Sequence, residues 1–381
     1  MKRDASAGSL RTAIATVLAL IGFAANSVLC RKALGSHAID AWSFTCIRLG
    51  GGALALFLIV RLRAAAAMRS ANRDANPVRR ADRDAPSMRR ADLDAPSVRY
   101  ADRDARSNTS SSGDRSAPAA RGSWASAFAL FAYAGAFSLA YLRLGAGVGA
   151  LVLFACVQAT MIGCGIVRGE RPSRVEWSGI AIALAGLVLL TLPGAVAPDP
   201  IGFALMMIAG IAWGAYSVRG RSSRAPLVST ADNFARSVPM ALGATVLMAA
   251  ATAAMASAGA FAGGSFASSD MHVESSGVWL ALASGCVASG LGYSLWYSAL
   301  PGLTAARAAI VQLVVPILAA ALGIAILGEH LTARLSCSAL MILGGVALAI
   351  AGRRKPAVAA TAARIGADPE ARSLNAETPA R

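Results

Sequence analysis

Three arginines stand inside otherwise apolar stretches of this 381-residue chain: Arg48, Arg236 and Arg307. A charge in hydrocarbon is costly, so such a residue faces a protein interior, a water-filled cavity or a partner of opposite sign. Arg48 lies about two turns into its stretch, too deep for its head to reach the surface easily. For it a structural partner and a role with an anionic substrate stay equally open. Arg236 follows Asp232 by four residues, and that i, i+4 pair neutralises itself and reads as structural. Arg307 opens its stretch, where snorkelling accounts for it.

Uncharged groups extend the set. Asn26, Gln158 and Gln312 are polar residues within apolar stretches; each either orients a substrate by hydrogen bonding or joins two helices. Trp213 and Tyr216 share one helical face, and Tyr293, Trp296 and Tyr297 share another at i, i+3, i+4. Such faces suit a cavity wall that grips a flat or apolar metabolite. Trp296 and Tyr297, near a stretch end, fit an interfacial belt equally well, so Trp213 and Tyr293 are the better candidates. The chemistry offered is binding. The histidines (His37, His272, His330) lie in loops or at stretch ends, with no paired metal ligands, nucleophile elbow or phosphate cradle, so neither an enzyme, a metal nor a cofactor is expected. The substrate-binding candidates are therefore Asn26, Arg48, Gln158, Trp213, Tyr216, Tyr293 and Gln312.

What must position them is a set of ten apolar stretches: 12–32, 41–61, 125–142, 147–168, 177–194, 201–219, 232–256, 277–298, 305–327 and 333–352. A helix rises about 1.5 Å per residue and the hydrocarbon core is about 30 Å thick, so each is near the length needed to cross. No ten-residue alternating pattern speaks for a β-barrel. The chain is 56% hydrophobic and only 15% charged, the composition of an all-α polytopic membrane protein.

The stretches form two groups of five. The fourth of each ends in Gly-Glu (Gly169-Glu170 and Gly328-Glu329), and Leu-x-Gly-x-x-Leu follows both (Leu184, Gly186, Leu189; Leu343, Gly345, Leu348). An internal duplication of this kind marks a repeat-built carrier. Because five is odd, the second group enters the membrane from the opposite side. Two inverted five-helix repeats, 12–194 and 201–352, then enclose a midplane site. Glu170 and Glu329 end helices, where a carboxylate needs a compensating partner; structural fastening is the favoured role.

The net charge of +16 is topological rather than a sign of nucleic-acid binding. With a cytoplasmic amino terminus, 29 of the 36 Lys and Arg fall on the inner side and four on the outer. That bias places both termini in the cytoplasm. The first stretch follows Lys2, Arg3 and Arg11 but is too long for a signal peptide and lacks a cleavage site, so it reads as a retained helix. The six cysteines form no metal or disulfide spacing. Residues 64–121 contain a ten-residue Arg-Asp-Ala-Pro repeat with few large apolar side chains, read as a disordered basic insertion; its Asp-x-Asp pairs sit beside arginines and suit a solvated linker better than a metal loop. The tail 353–381 reads likewise.

The segment Gly290–Leu335 (GLGYSLWYSALPGLTAARAAIVQLVVPILAAALGIAILGEHLTARL), with Ala25–Leu34 and Phe44–Leu56 in the first half, resembles the EamA-type carriers of the drug/metabolite transporter superfamily. The resemblance covers most of 12–352 outside the insertion. It implies ten helices, a cavity lined by the first, third, fourth, sixth, eighth and ninth, and movement of small metabolites, typically export, across a bacterial inner membrane. Val157 stands where the second half has Pro316. The partners expected are a small-molecule substrate, amino-acid-like or otherwise amphipathic, and the lipid bilayer. Protons as coupling ion and a homodimer stay open. The competing reading is a membrane sensor or assembly protein, with the insertion as docking arm.

Overall fold

A computed structural model describes residues 2–74, 122–169, 171–192, 197–220, 223–257, 272–303 and 305–352. Ten long helices account for almost all of them: α1 (Lys2–Gly35), α2 (Ala41–Asp74), α3 (Trp124–Tyr141), α4 (Ala146–Val167), α5 (Arg174–Thr191), α6 (Pro200–Gly220), α7 (Pro226–Ser257), α8 (Ser275–Ala299), α9 (Ala305–Gln312 and Val314–Leu327) and α10 (Ala333–Ala351). Each contains a window long and apolar enough to cross a bilayer. This is an all-helical, multi-pass membrane protein. The only pairing of extended backbone among the described residues is one bridge, Ile39 to Val273.

Starts and stops follow local chemistry. Ser123, Ser173 and Thr332 accept hydrogen bonds from the N–H groups of Ser126, Glu176 and Leu335, each at 3.1 Å, and so cap α3, α5 and α10. The glycines of the duplicated Gly-Glu end α4 and α9 with left-handed backbone, φ +89° at Gly169 and +66° at Gly328, a conformation only glycine adopts cheaply. Helix α9 breaks at Leu313. Pro316 has no N–H for the Gln312 carbonyl four residues back, and Leu313 tightens to a bond with Ile310 at 3.0 Å. Helix α8 widens into a π-helical turn over Ala283–Leu291.

Helix α2 corrects one expectation. It runs to Asp74, past residue 64, because Arg-Leu-Arg followed by four alanines favours helix once the chain has left the apolar zone. Residues 75–121 of the expected insertion, the tail 353–381 and Glu170 lie outside the described residues, and of Arg307 only the backbone is described.

The packing respects an exchange of each helix with the one five places on. Helix α1 packs on α8 and α9 as α6 packs on α3 and α4; α2 meets α7, and α5 meets α10. In the last pair small residues let backbones approach. A Cβ added at Gly345 would stand 2.5 Å from the Ala183 nitrogen, and one at Gly186 would stand 2.7 Å from Met341 Cβ and 3.0 Å from the Ile342 nitrogen. These glycines are the centres of the two Leu-x-Gly-x-x-Leu copies. Replacing Gly345 with Val should separate α5 from α10 and cost about 1–3 kcal/mol by overpacking. The check is a thermal melt in detergent, where an unchanged midpoint would contradict the packing described.

Candidate functional site

The period of a helix decides which rings meet. Trp213 and Tyr216 lie three residues apart on α6 and stack at 5.2 Å and 25°. Tyr293 of α8 stacks on Trp213 at 5.5 Å and 30°, and Tyr297, one turn on, continues the row at 6.4 Å. Tyr133 of α3 packs tilted against Trp213 at 4.9 Å. Phe23 of α1 leans on Tyr293 at 5.4 Å and on Trp296 at 6.1 Å. Offset and edge-on ring pairs of this kind hold one another rigidly.

These rings wall a cavity of about 540 Å³ between α1, α3, α4, α6, α8 and α9. The volume is that of a site for a small metabolite. No charged side chain is among the described residues that line it. Its polar groups are hydroxyls and amides. Asn26 Oδ1 accepts from Ser284 Oγ at 2.5 Å, the serine being presented by the π-helical turn. Tyr216 Oη donates to Thr230 at 3.2 Å, and Thr230 also meets Tyr297 Oη at 3.0 Å. Gln312 lines the wall at the break in α9, where its carbonyl has lost its helical partner.

The lining repeats between the halves. Phe23, Asn26 and Ser27 of α1 have the spacing of Trp213, Tyr216 and Ser217 of α6, and all six face the cavity. Phe137-Ser138-Leu139 of α3 matches Tyr293-Ser294-Leu295 of α8, and this register pairs the lining residues Tyr133 with Ser289 and Phe137 with Tyr293.

The two ends differ. The cavity reaches the face that carries Ser223 and Pro226 between α6 and α7, and Leu300 and Leu303 between α8 and α9. At the opposite face the helices are fastened. Glu329, following the last turn of α9, accepts from the N–H groups of Ala146 (2.6 Å) and Gly147 (3.3 Å) at the start of α4. Its carboxylate thus satisfies orphan donors at the positive end of a helix dipole. Gly145 and Gly323 make the room: a Cβ on either would come within 3.0 Å or 2.7 Å of a Glu329 oxygen. Beside it Arg31 donates to the carbonyls of Tyr141 (2.8 Å) and Leu142 (3.2 Å), tying α1 to α3. At the same face Glu274 lies below the ordinary carboxylate range through its hydrogen bonds from His272 and Ser276.

Five of the seven candidate residues line the cavity: Asn26, Trp213, Tyr216, Tyr293 and Gln312. Arg48 and Gln158 do not. Arg48 is 2% exposed and sits behind the wall, its Nη2 donating to Tyr133 Oη at 2.9 Å, while Gln158 is buried outside the lining. Arg236 behaves as expected, with Asp232 at 3.0 Å, and that aspartate also holds the Gly122 N–H at 2.7 Å ahead of α3. Trp296 and Tyr297 line the cavity rather than a membrane belt. Tyr133 is a wall residue that the sequence reading passed over, although Tyr133, Phe137 and Tyr141 recur at every fourth position along α3.

A ten-helix membrane protein with a closed end, an open end and an uncharged aromatic cavity between them has the form of a carrier. Residues 200–351 match the EamA-like transporter family. The chain is 42% identical over 343 residues to an uncharacterized protein of Pseudomonas aeruginosa, covering 90% of this chain and 96% of that one. A protein solved by crystallography overlays with a TM-score of 0.51 across 92% of this chain and 99% of its own at 15% identity, a likeness of fold alone. The chain belongs to the EamA-like transporter family, within the drug/metabolite transporter superfamily.

The fastening at Glu329 makes a prediction. Glu329→Ala removes a charge-assisted cap and should cost about 1–2 kcal/mol in a detergent melt, with Glu329→Gln in between. If alanine there melts with the wild type, the carboxylate is not what joins α9 to α4.

Proposed function

We propose that this protein carries small amphipathic metabolites, amino-acid-like compounds foremost, out across the bacterial inner membrane by alternating access between two inverted five-helix units, 12–194 and 201–352. The observation that carries the reading is the aromatic cavity open towards one face and fastened at the other. The shared register of part of its lining, and the contacts that survive exchange of each helix with its fifth neighbour, support a two-fold relation between the units. Asn26, Trp213, Tyr216, Tyr293 and Gln312 contact the substrate, and the stacked rings hold its apolar part.

The Lys and Arg distribution supports a cytoplasmic position for both termini. The open face, at the α6–α7 and α8–α9 connections, is then cytoplasmic, and the cavity stands ready to load from within. Release to the other side requires Glu329 to leave the first turn of α4 and Arg31 to leave the end of α3. The competing sensor or assembly role rests on the insertion, whose residues 75–121 lie outside the described set.

Two measurements test the reading. Cells with the protein should release compounds that cells without it retain, and purified protein in liposomes should move those compounds with Trp213→Ala reducing flux at least about tenfold. Flux that follows an imposed pH gradient would assign proton exchange; flux indifferent to it would assign facilitated diffusion. An unchanged release profile over a broad metabolite panel would refute export. For the fastened face, a version with Cys30 as its single cysteine should react slowly with an impermeant maleimide added from outside, because Cys30 is fully buried. Glu329→Ala should speed that reaction by favouring the outward-open form, and equal rates would refute the gating role.

A further inference from the structure

Among the described residues Arg48 is a buried cation that forms no salt bridge. Arg48 spends a single hydrogen bond, from Nη2 to Tyr133 Oη, and its Nε and Nη1 have no partner among the described residues. Its guanidinium carbon lies 5.2 Å from the ring centre of Tyr133 and 4.8 Å from that of Phe137. Arg236, by contrast, has Nε and Nη2 on Asp232 at 3.1 and 3.0 Å. A buried guanidinium with two idle donors is an unusual expense in a native fold, and each such group calls for an explanation.

Tyr133 supplies the link to the cavity. Its ring is part of the wall, against Trp213, while its hydroxyl holds the arginine behind that wall. Through Tyr133, and through Phe137 beside it, an otherwise uncharged cavity lies in the field of a cation, at a depth where water screens little. Aromatic faces alone would welcome cations. Here the faces of Tyr133 and Phe137 already carry Arg48, so a second cation beside them meets repulsion and an anion meets attraction.

We propose that Arg48 is a specificity-determining residue that selects substrates bearing one carboxylate on an aromatic or apolar body, the carboxylate pairing with the Nε and Nη2 edge once the Tyr133 side chain turns aside and gives up Nη2. This deepens the carrier reading and rests on it. A planar fork and a carboxylate match in two parallel hydrogen bonds. The body of the substrate then stacks along Trp213 and Tyr293, and cations are turned away.

Calorimetric titration of the full-length protein in detergent tests this with 3-phenylpropanoate, 3-phenylpropanamide and 3-phenylpropylamine, one shape with negative, zero and positive charge. The carboxylate should bind about 30-fold or more tighter than the amide, and the amine weakest. Arg48→Gln should bring the carboxylate-to-amide ratio to about one, and Tyr133→Phe, which frees Nη2, should leave it at or above the wild-type level. If the glutamine variant does not fold, Arg48→Lys takes its place, with the ratio expected to fall at least about fivefold because an ammonium offers no planar fork. Tighter or equal binding of the amine or amide, no measurable binding of the carboxylate, or a wild-type ratio in the Arg48 variant overturns the assignment. Because binding is read at equilibrium, absent flux in liposomes with the charge preference intact would refute the carrier reading and leave Arg48 assigned. Equal flux of all three compounds would uphold the carrier and refute the selectivity.

Discussion

In hydrocarbon a polar group keeps its hydrogen bonds only if the protein supplies them, and that constraint orders this structure. It explains why a glutamate at the end of one helix is found on the first turn of another. The last turn of α9 disfavours a negative charge and the first turn of α4 attracts one, so Glu329 resolves two unfavourable ends with one contact. Aspartate and asparagine at 232 and 233 do the same ahead of α3, accepting from Gly122 at 2.7 Å and Ser123 at 2.9 Å. Between α5 and α10 glycines bring the backbones together along the middle, while Ser173 Oγ donates to the Gly352 carbonyl at 2.8 Å and Arg334 to the Leu192 carbonyl at 2.6 Å at the two ends.

The same constraint separates what was legible in the sequence from what was not. Ten spans, the left-handed glycine before each glutamate and the Asp232–Arg236 pair are local matters, set by length, by backbone sterics and by i, i+4 spacing. The partner of Glu329 lies 183 residues away in sequence, and no local pattern names it. Periodicity told which rings of α6 and α8 share a face but not which helix that face meets. So Trp213 and Tyr293 were found and Tyr133, their neighbour from α3, was not. Arg48 was recognised as a buried charge, yet only the fold shows a tyrosine standing between it and the cavity. The continuation of α2 to Asp74 was missed for the opposite reason: alanine and arginine favour a helix there, but the low apolar content suggested disorder.

The halves match in register and differ in chemistry. At corresponding places α1 offers Phe23 and Asn26 where α6 offers Trp213 and Tyr216, and α4 offers Leu153 where α9 offers Gln312. Pro316, with Val157 as its counterpart, breaks only α9 and frees a carbonyl beside the cavity. A carrier whose two halves exchange shapes does not need identical linings, since rocking uses the shared backbone geometry while binding uses the side chains. Under the alternating access proposed above, the divergence falls where it costs the motion least.

That divergence also gives the cavity a direction. Its α6 and α8 wall is a run of stacked rings, and its α1 and α9 wall adds an amide at Asn26 and another at Gln312. A purely apolar molecule would offer those amides no further hydrogen bond, and a purely polar one would forgo the rings. An amphipathic compound satisfies both at once. Because hydrocarbon outside the bundle would satisfy only its apolar part, such a compound crosses the bilayer slowly unaided, and that slowness is the condition under which a carrier of this shape is useful.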